Sequence, residues 1–515
     1  MVGELFSCCV RSVPMRTITF LLGLVAAISA RPATYHVSIN GSDGNTGLSV
    51  AQALVTIQHA ADMAIAGDSV IVHAGPYQGF AAMDHSGSAA APIVFIAEGD
   101  AVAITSPCGY NDLDGINVEN VDWVVIEGFT VNDMPRTGIR TVLSDHVTIR
   151  YNTCANNFKW GILTGFAEHV IIEHNTCSGS EDEHGIYFSN SADGPIIRYN
   201  HCFDNNANGI HMNGDVSLGG DGIISNAQVY GNIIHANGTA GGSGINCDGV
   251  VNSVIYNNLL YDNHASGISL YQIDGGAPST GNKVYNNTVI NASDARWCMN
   301  ITDGCAGNRL LNNIFINLHP FRGAIAVADD ALDGLTSDYN LLIGRLSPDG
   351  DATILDLIGW QALGYDAHSL VAGPLSGLFA DMSAADYHAA SGSSQHVDAG
   401  TNAVHPEVSN DLDLEPRPAG ASFDIGCYER TLNTAVQTQG EGANVPAPYF
   451  VNDALILPAL PYGGLVSLLD AQGRLIAQVN SGSSVLQLPA LERGAYVVRT
   501  AQADGGHPSA CTIVR

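Results

Sequence analysis

A chain of 515 residues with 50 acidic against 19 basic side chains carries a formal charge of −31. That excess excludes nucleic acid and an anionic membrane surface as direct partners and suits a protein dissolved in an outside medium. Any anionic ligand would need a local cationic patch or a bridging metal ion, and a chain this long predicts two or three domains.

Residues 1–30 read as an export signal. Arg16 precedes the apolar run Thr19 to Ala27, which ends at the small-residue site Ile28-Ser29-Ala30. Met15 makes a more ordinary start than Met1. No later stretch is long and apolar enough to span a bilayer, so the expected location is secreted or cell surface. Residues 31–111 hold a helix-like stretch, VTIQHAADMAIAG, followed by DSVIVHAGPY, and read as the N-terminal cap and first coils of a solenoid.

Residues 112–345 carry a repeat of about 24 residues. The tetrad Gly-Ile-x-apolar recurs at Gly115, Gly138, Gly161, Gly185, Gly209, Gly244 and Gly267. Half a repeat later comes an apolar stretch ending in asparagine: VTIRYN, VIIEHN, PIIRYN, AQVYGN, SVIYNN, NKVYNN, NRLLNN. Alternation with period two marks strands, and the units have no room for crossover helices. The expected architecture is all-β: a parallel β-helix with one coil per repeat, followed by a small C-terminal β-sandwich.

Cys154, Cys177 and Cys202 stand two residues after the repeat asparagine, where later coils carry Ile234, Leu260 and Val289. They read as buried hydrophobes, as does Cys247. Cys298 and Cys305 flank one turn and are the best disulfide candidate. Asn152, Asn175, Asn200, Asn232 and Asn258 read as a structural turn ladder.

In each tetrad the residue between the two apolar ones points outward. The outward column runs Asn117, Arg140, Leu163, Tyr187, His211, Asn246, Ser269, and the next runs Glu119, Val142, Gly165, Ser189, Asn213, Asp248, Tyr271. Lys159, one of two lysines in the chain, and His184 directly precede tetrads. An insertion, VSLGGDGIIS, lengthens the coil after His211 and Asp215 and is expected to wall a groove.

This set suits elimination from, or epimerisation of, a uronic-acid polysaccharide. Both begin with removal of the proton α to a carboxylate whose charge must be neutralised. Arg140 is the expected carboxylate clamp, His211 the base and Tyr187 the acid, with Lys159 or His184 as replacements. Asn213, Asn246 and Tyr271 are expected to bind substrate. Asp215, Asp221 and Asp248 offer oxygens suited to Ca²⁺. The plainer readings are a surface ion pair of Arg140 with Glu119 or Asp114, stacked ladder rings at Tyr187 and His211, and turn-forming aspartates. A glycoside hydrolase using Asp248 with Asp215, or a non-catalytic surface or adhesion protein, stands as the alternative.

Residues 346–430 lose the period and end in DLDLEPRPAGASFDIGCYE; 431–446 read as a linker; 447–515 hold short alternating strands. The repeat with its asparagine ladder resembles the right-handed parallel β-helix superfamily of pectate-lyase-like proteins, which implies that fold and a polysaccharide as partner. DLDLEPRPAGASFDIGCYE resembles a short element that closes many secreted bacterial β-helix proteins. VSLLDAQGRLIAQV, LPALERGAYVVRT and the closing TIVR resemble the C-terminal sorting domain of type IX secretion, although the usual closing lysines are replaced by Ile513-Val514-Arg515. That resemblance implies recognition by secretion machinery and removal at the cell surface; the rest would act as a monomer. EDEH at 181–184 resembles the acidic-x-His motif of alginate epimerases, with different downstream spacing.

Overall fold

The computed structural model describes residues 31–99 and 101–430 and, between 449 and 514, the strands alone. Residues 1–30, read as an export signal, and 431–446, read as a linker, lie outside the described residues. The chain divides into two compact units, Met1–Thr431 and Leu432–Arg515.

The first unit is a parallel β-solenoid. Its strands form two twelve-stranded sheets and one eleven-stranded sheet, each built from one strand per coil. The tetrads lie in the eleven-stranded sheet, which starts at Phe80–Ala82 and ends at Leu346–Ser347. Register follows the sequence columns: Arg140 pairs with Asn117 and Leu163, Tyr187 with Leu163 and His211, and Asn246 with His211 and Ser269. The tetrad isoleucines Ile116, Ile139, Ile162, Ile186, Ile210, Ile245 and Ile268 are fully buried and stack in register. Each such side chain contributes about 1.5–3 kcal/mol of transfer free energy, shared between neighbouring coils.

The tetrad glycine is a matter of space. A Cβ on Gly161 would stand 2.7 Å from the Gly185 carbonyl oxygen and 3.0 Å from Cys177 Cβ. Cys154, Cys177 and Cys202 stack in register and fully buried, continuing into Ile234, Leu260 and Val289. The asparagine ladder holds the corner: Asn200 Oδ1 accepts from the Asn175 N–H at 3.0 Å, and Asn200 Nδ2 donates to Asn232 Oδ1 at 3.0 Å. The residue before each of the first ladder asparagines is left-handed, as at Tyr151, His174 and Tyr199. That conformation costs roughly 1–2 kcal/mol for an L-residue, and the buried amide bonds offset it. A second ladder, Asn205–Asn237–Asn263, holds another corner.

The ends are covered. Helix Ile57–Met63 lies at the first tetrad strand, and its Gln58 side chain accepts from the Ala81 N–H at 2.8 Å and donates to the Ala81 carbonyl at 3.0 Å. Gln58 thereby stands in for the missing neighbour of an edge strand. At the other end helix Leu357–Gln361 buries Trp360 completely against the core. Residues up to 430 fold back along the coils: the Cys427 N–H donates to Thr288 Oγ1 and Asn286 Nδ2 to the Asp424 carbonyl, both at 3.0 Å. Cys298 and Cys305 are free buried thiols, against the disulfide expectation. Both sit within the core, and Cys305 Sγ accepts from the Ser279 N–H at 3.0 Å.

In the second unit the strands pair antiparallel in one sheet of three and one of four. No helix among the described residues is long and apolar enough to cross a membrane.

Candidate active site

The outward face of the tetrad sheet falls into two stretches. In the earlier coils its cations are paired. Arg136 binds Asp114 with two bonds, at 2.9 and 2.6 Å. Arg140 donates to Asn117 Oδ1 at 2.6 Å and Glu119 Oε2 at 2.5 Å. The expected carboxylate clamp is therefore occupied by the protein's own carboxylate, three coils short of His211. Lys159 is bound to Glu183 at 2.6 Å, which raises its pKa and removes it as a base, and Trp160 Nε1 donates to the same carboxylate at 2.8 Å.

Past Glu183 the character changes. His184 Nδ1 accepts from the backbone N–H of Asn208 at 3.3 Å, with Asn208 Nδ2 at 3.2 Å. Its proton therefore sits on Nε2, which lies 3.0 Å from His211 Nδ1. His211 then carries its own proton on Nε2, 3.3 Å from the Tyr271 hydroxyl. Asn246 Nδ2 donates to the same hydroxyl at 2.9 Å. Burial holds both imidazoles neutral: His184 lies well below the usual range and His211 is pushed down to about 3. Burial, then the Asp248 charge, pushes the Tyr271 phenol up. Tyr187 stacks on His211 with ring centroids 5.0 Å apart and is pushed up to about 12 by burial; its hydroxyl accepts from Asn213 Nδ2 at 3.2 Å.

Tyr271 opens onto a cleft of about 450 Å³ over the following coils. Its lining includes Asn246, Ser269 and Asn300, from three neighbouring strands, together with Arg296, Arg322, Asp303 and Asp351. The structure thus brings together His184, His211, Asn246 and Tyr271, with Tyr187 and Asn213 beside them, and leaves Arg140 and Lys159 apart in ion pairs. Arg296 and Arg322 were missed because the tetrad loses its glycine after Gly267. Met299 pairs with Ile268 and Ile325 with Met299, so Cys298 and Ala324 occupy the glycine position. Extending the pattern through CMNI and AIAV would have found both arginines.

The three aspartates expected to hold Ca²⁺ are each engaged by the protein's own N–H groups. Asp248 is buried and accepts the backbone N–H groups of Ile273, Asp274 and Gly275 at 3.0, 2.8 and 3.0 Å, which spends its lone pairs on the loop after Tyr271. Asp215 caps its own turn by accepting from the Ser217 N–H, and Asp221 accepts from the Ile223 N–H. Among the described residues no group of three or more His, Cys, Asp or Glu side chains converges on a metal-sized site. The insertion does not line the cleft. It braces the same loop, through Val216 N–H to the Asp274 carbonyl at 3.0 Å and Gly276 N–H to the Gly222 carbonyl at 2.7 Å.

Comparison with known proteins agrees with this architecture. A family model described as the right-handed β-helix region matches residues 114–238 and 184–333. The chain carries a right-handed parallel β-helix. Among solved structures, pectate lyase Pel9A superposes at a TM-score of 0.50 and 17% identity, over 78% of this chain and 97% of that one. A rhamnogalacturonan lyase gives 0.41 and 14%, over 55% and 82%; an alginate lyase from Paenibacillus sp. str. FPU-7 gives 0.36 and 18%, over 52% and 93%. At these identities the likeness speaks to the β-helix fold alone. No curated protein matches the sequence.

Proposed function

We propose that the protein is an exported carbohydrate-active enzyme, a lyase or epimerase acting on a uronic-acid-containing polysaccharide. The observation that carries this reading is the hydrogen-bonded series His184–His211–Tyr271 ending at a polar cleft on the β-helix face. Tyr271 is the group that exchanges a proton with substrate. His211 Nε2–H and Asn246 Nδ2–H both point at its oxygen and stabilise the phenolate while the proton is away. Elimination follows when the same oxygen's proton is passed to the leaving glycosidic oxygen; epimerisation follows when water delivers a proton to the opposite face of the sugar and Tyr271 returns the abstracted proton to the resulting hydroxide through solvent. His184 and His211 are positioning residues in this scheme, fixing each other's tautomer. Export rests on the sequence of residues 1–30 and on the resemblance of the C-terminal segment to a sorting domain.

The test is incubation with polygalacturonate and alginate in deuterated solvent. We expect loss or exchange of the proton α to the carboxylate by NMR, with ultraviolet absorbance of an unsaturated product if elimination occurs, and neither with Tyr271→Phe. Absence of both signals with the wild-type chain sinks the reading. A hydrolase no longer has Asp248 to use, but Asp303 and Asp351 line the cleft. Release of reducing ends without unsaturation, lost in Asp303→Asn or Asp351→Asn, would establish hydrolysis instead.

A further inference from the structure

We propose that Arg296 and Arg322 form a carboxylate-recognition subsite that restricts this cleft to acidic glycans lying along the axis of the β-helix. The inference rests on the preceding reading for the nature of the polymer, but not for the reaction. Both arginines stand two residues ahead of the tetrad position, in consecutive coils. Their backbones are therefore roughly 4.8 Å apart along the axis, comparable with the length of one sugar unit.

The pairing of this column distinguishes the two. Arg296 is exposed and makes no ion pair within 4.0 Å among the described residues, whereas Arg322 Nε lies 3.9 Å from Asp351 Oδ2. In earlier coils the same column holds Arg136 and Lys159, each closed by a carboxylate at 2.6 Å. In a chain of charge −31 the long-range field repels a polyanion, so recognition of one has to come from an uncompensated cation at the site itself. Trp297, next to Arg296, lines the same cleft at 4% exposure, and its indole N–H has no hydrogen-bond partner among the described residues. The unpaired Arg296 guanidinium is a donor set for an anionic oxygen acceptor in the cleft. Amides and hydroxyls of Asn246, Ser269 and Asn300 in the lining suit sugar hydroxyls, while the lining carboxylates Asp303 and Asp351 leave Arg296 without an ion pair.

Binding of oligogalacturonate, and of the same oligomer with its carboxyls reduced to alcohols, tests the subsite by titration calorimetry on the full chain. The wild type should bind the acidic oligomer and not the reduced one. Arg296→Gln should lose about tenfold or more in affinity, the weight of one charge-assisted hydrogen bond; Arg322→Gln should lose less, and Arg296→Lys should recover part. Arg150→Gln, on another sheet, should bind as wild type. Equal affinity for the reduced oligomer, wild-type affinity in Arg296→Gln, or no binding of any polyuronate overturns the proposal. Arg296-dependent binding without proton exchange or unsaturated product upholds the subsite and overturns the proposed reaction.

Discussion

In the coils before His184 the column ahead of the tetrad carries Arg136 and Lys159, both held by carboxylates of neighbouring coils; in the coils after Gly267 it carries Arg296 without a partner and Arg322 with a loose one. The scaffold and column are the same, and only the accompanying acid differs. A solenoid face repeats its geometry indefinitely, so position alone cannot mark a site. What marks one is a charge or proton donor that the protein leaves unspent. By that measure the earlier coils are a closed ion-pair surface, and the proposed chemistry is assigned to the stretch from His184 to Arg322.

Breaking the open stretch should have the largest effect. Tyr271→Phe keeps the ring and removes the proton, and turnover should fall by about 10²–10⁴-fold with the melting temperature little changed. The pH profile sharpens the assignment. With His211 down near 3, catalysis by His211 as base would give a rate flat from about pH 5 upward. Tyr271, pushed above the ordinary phenol range, predicts a rate that climbs about tenfold per pH unit through the neutral and mildly alkaline region as the phenolate fraction grows. A flat profile would return the role of base to His211.

Structural ladders should respond in stability. Asn232 Nδ2 donates to the Ile197 carbonyl at 3.0 Å and to Asn258 Oδ1 at 2.9 Å, while its Oδ1 accepts the Asn200 N–H at 3.0 Å. Asn232→Ala strands buried backbone groups on both sides and should cost about 2–4 kcal/mol in denaturant melts. Arg140→Gln, on the closed stretch, should cost about 1 kcal/mol and leave turnover within about twofold. A collapse of turnover there would erase the distinction between the two stretches.

Most of the β-helix was legible because each coil repeats one pattern. The period set the register, so the outward columns, the buried cysteines and the asparagine ladder all fall where the repeat puts them. The site was legible up to the point where the pattern frays. Arg296 and Arg322 were hidden by the change of Gly to Cys298 and Ala324. The engagement of Arg140 was visible in the columns, since Glu119 stands in the adjoining coil, but its priority over substrate binding depends on a 2.5 Å contact. Asp248 could not be read at all. Whether a carboxylate meets a cation or three backbone N–H groups depends on the conformation of residues 273–275, which no periodicity specifies.

His388 offers a third case, a half-exposed charge that is doubly spent. Its Nδ1 lies 2.6 Å from Asp386 Oδ1 and its Nε2 2.7 Å from Asp413 Oδ2, linking the strand Asp386–Ala389 to the closing segment. The hydrogen bond to Asp413 first, with that to Asp386, raises its pKa to about 9 against the opposing effect of burial. The folded value lies above the unfolded one of about 6.5, so the protonated ring favours the folded chain. Its stabilisation is complete below about pH 6.5 and fades as pH rises through about 9. Solvent screening keeps it small, because the side chain is 46% exposed. Wild-type melting temperature should therefore fall between about pH 6.5 and 9.5 slightly more than that of His388→Gln, while proton exchange on substrate stays equal in the two. If the two proteins melted in parallel across that window, the bridge would contribute nothing. If substrate exchange changed instead, a fully paired charge would have acted on the chemistry, and pairing would no longer separate scaffold from site.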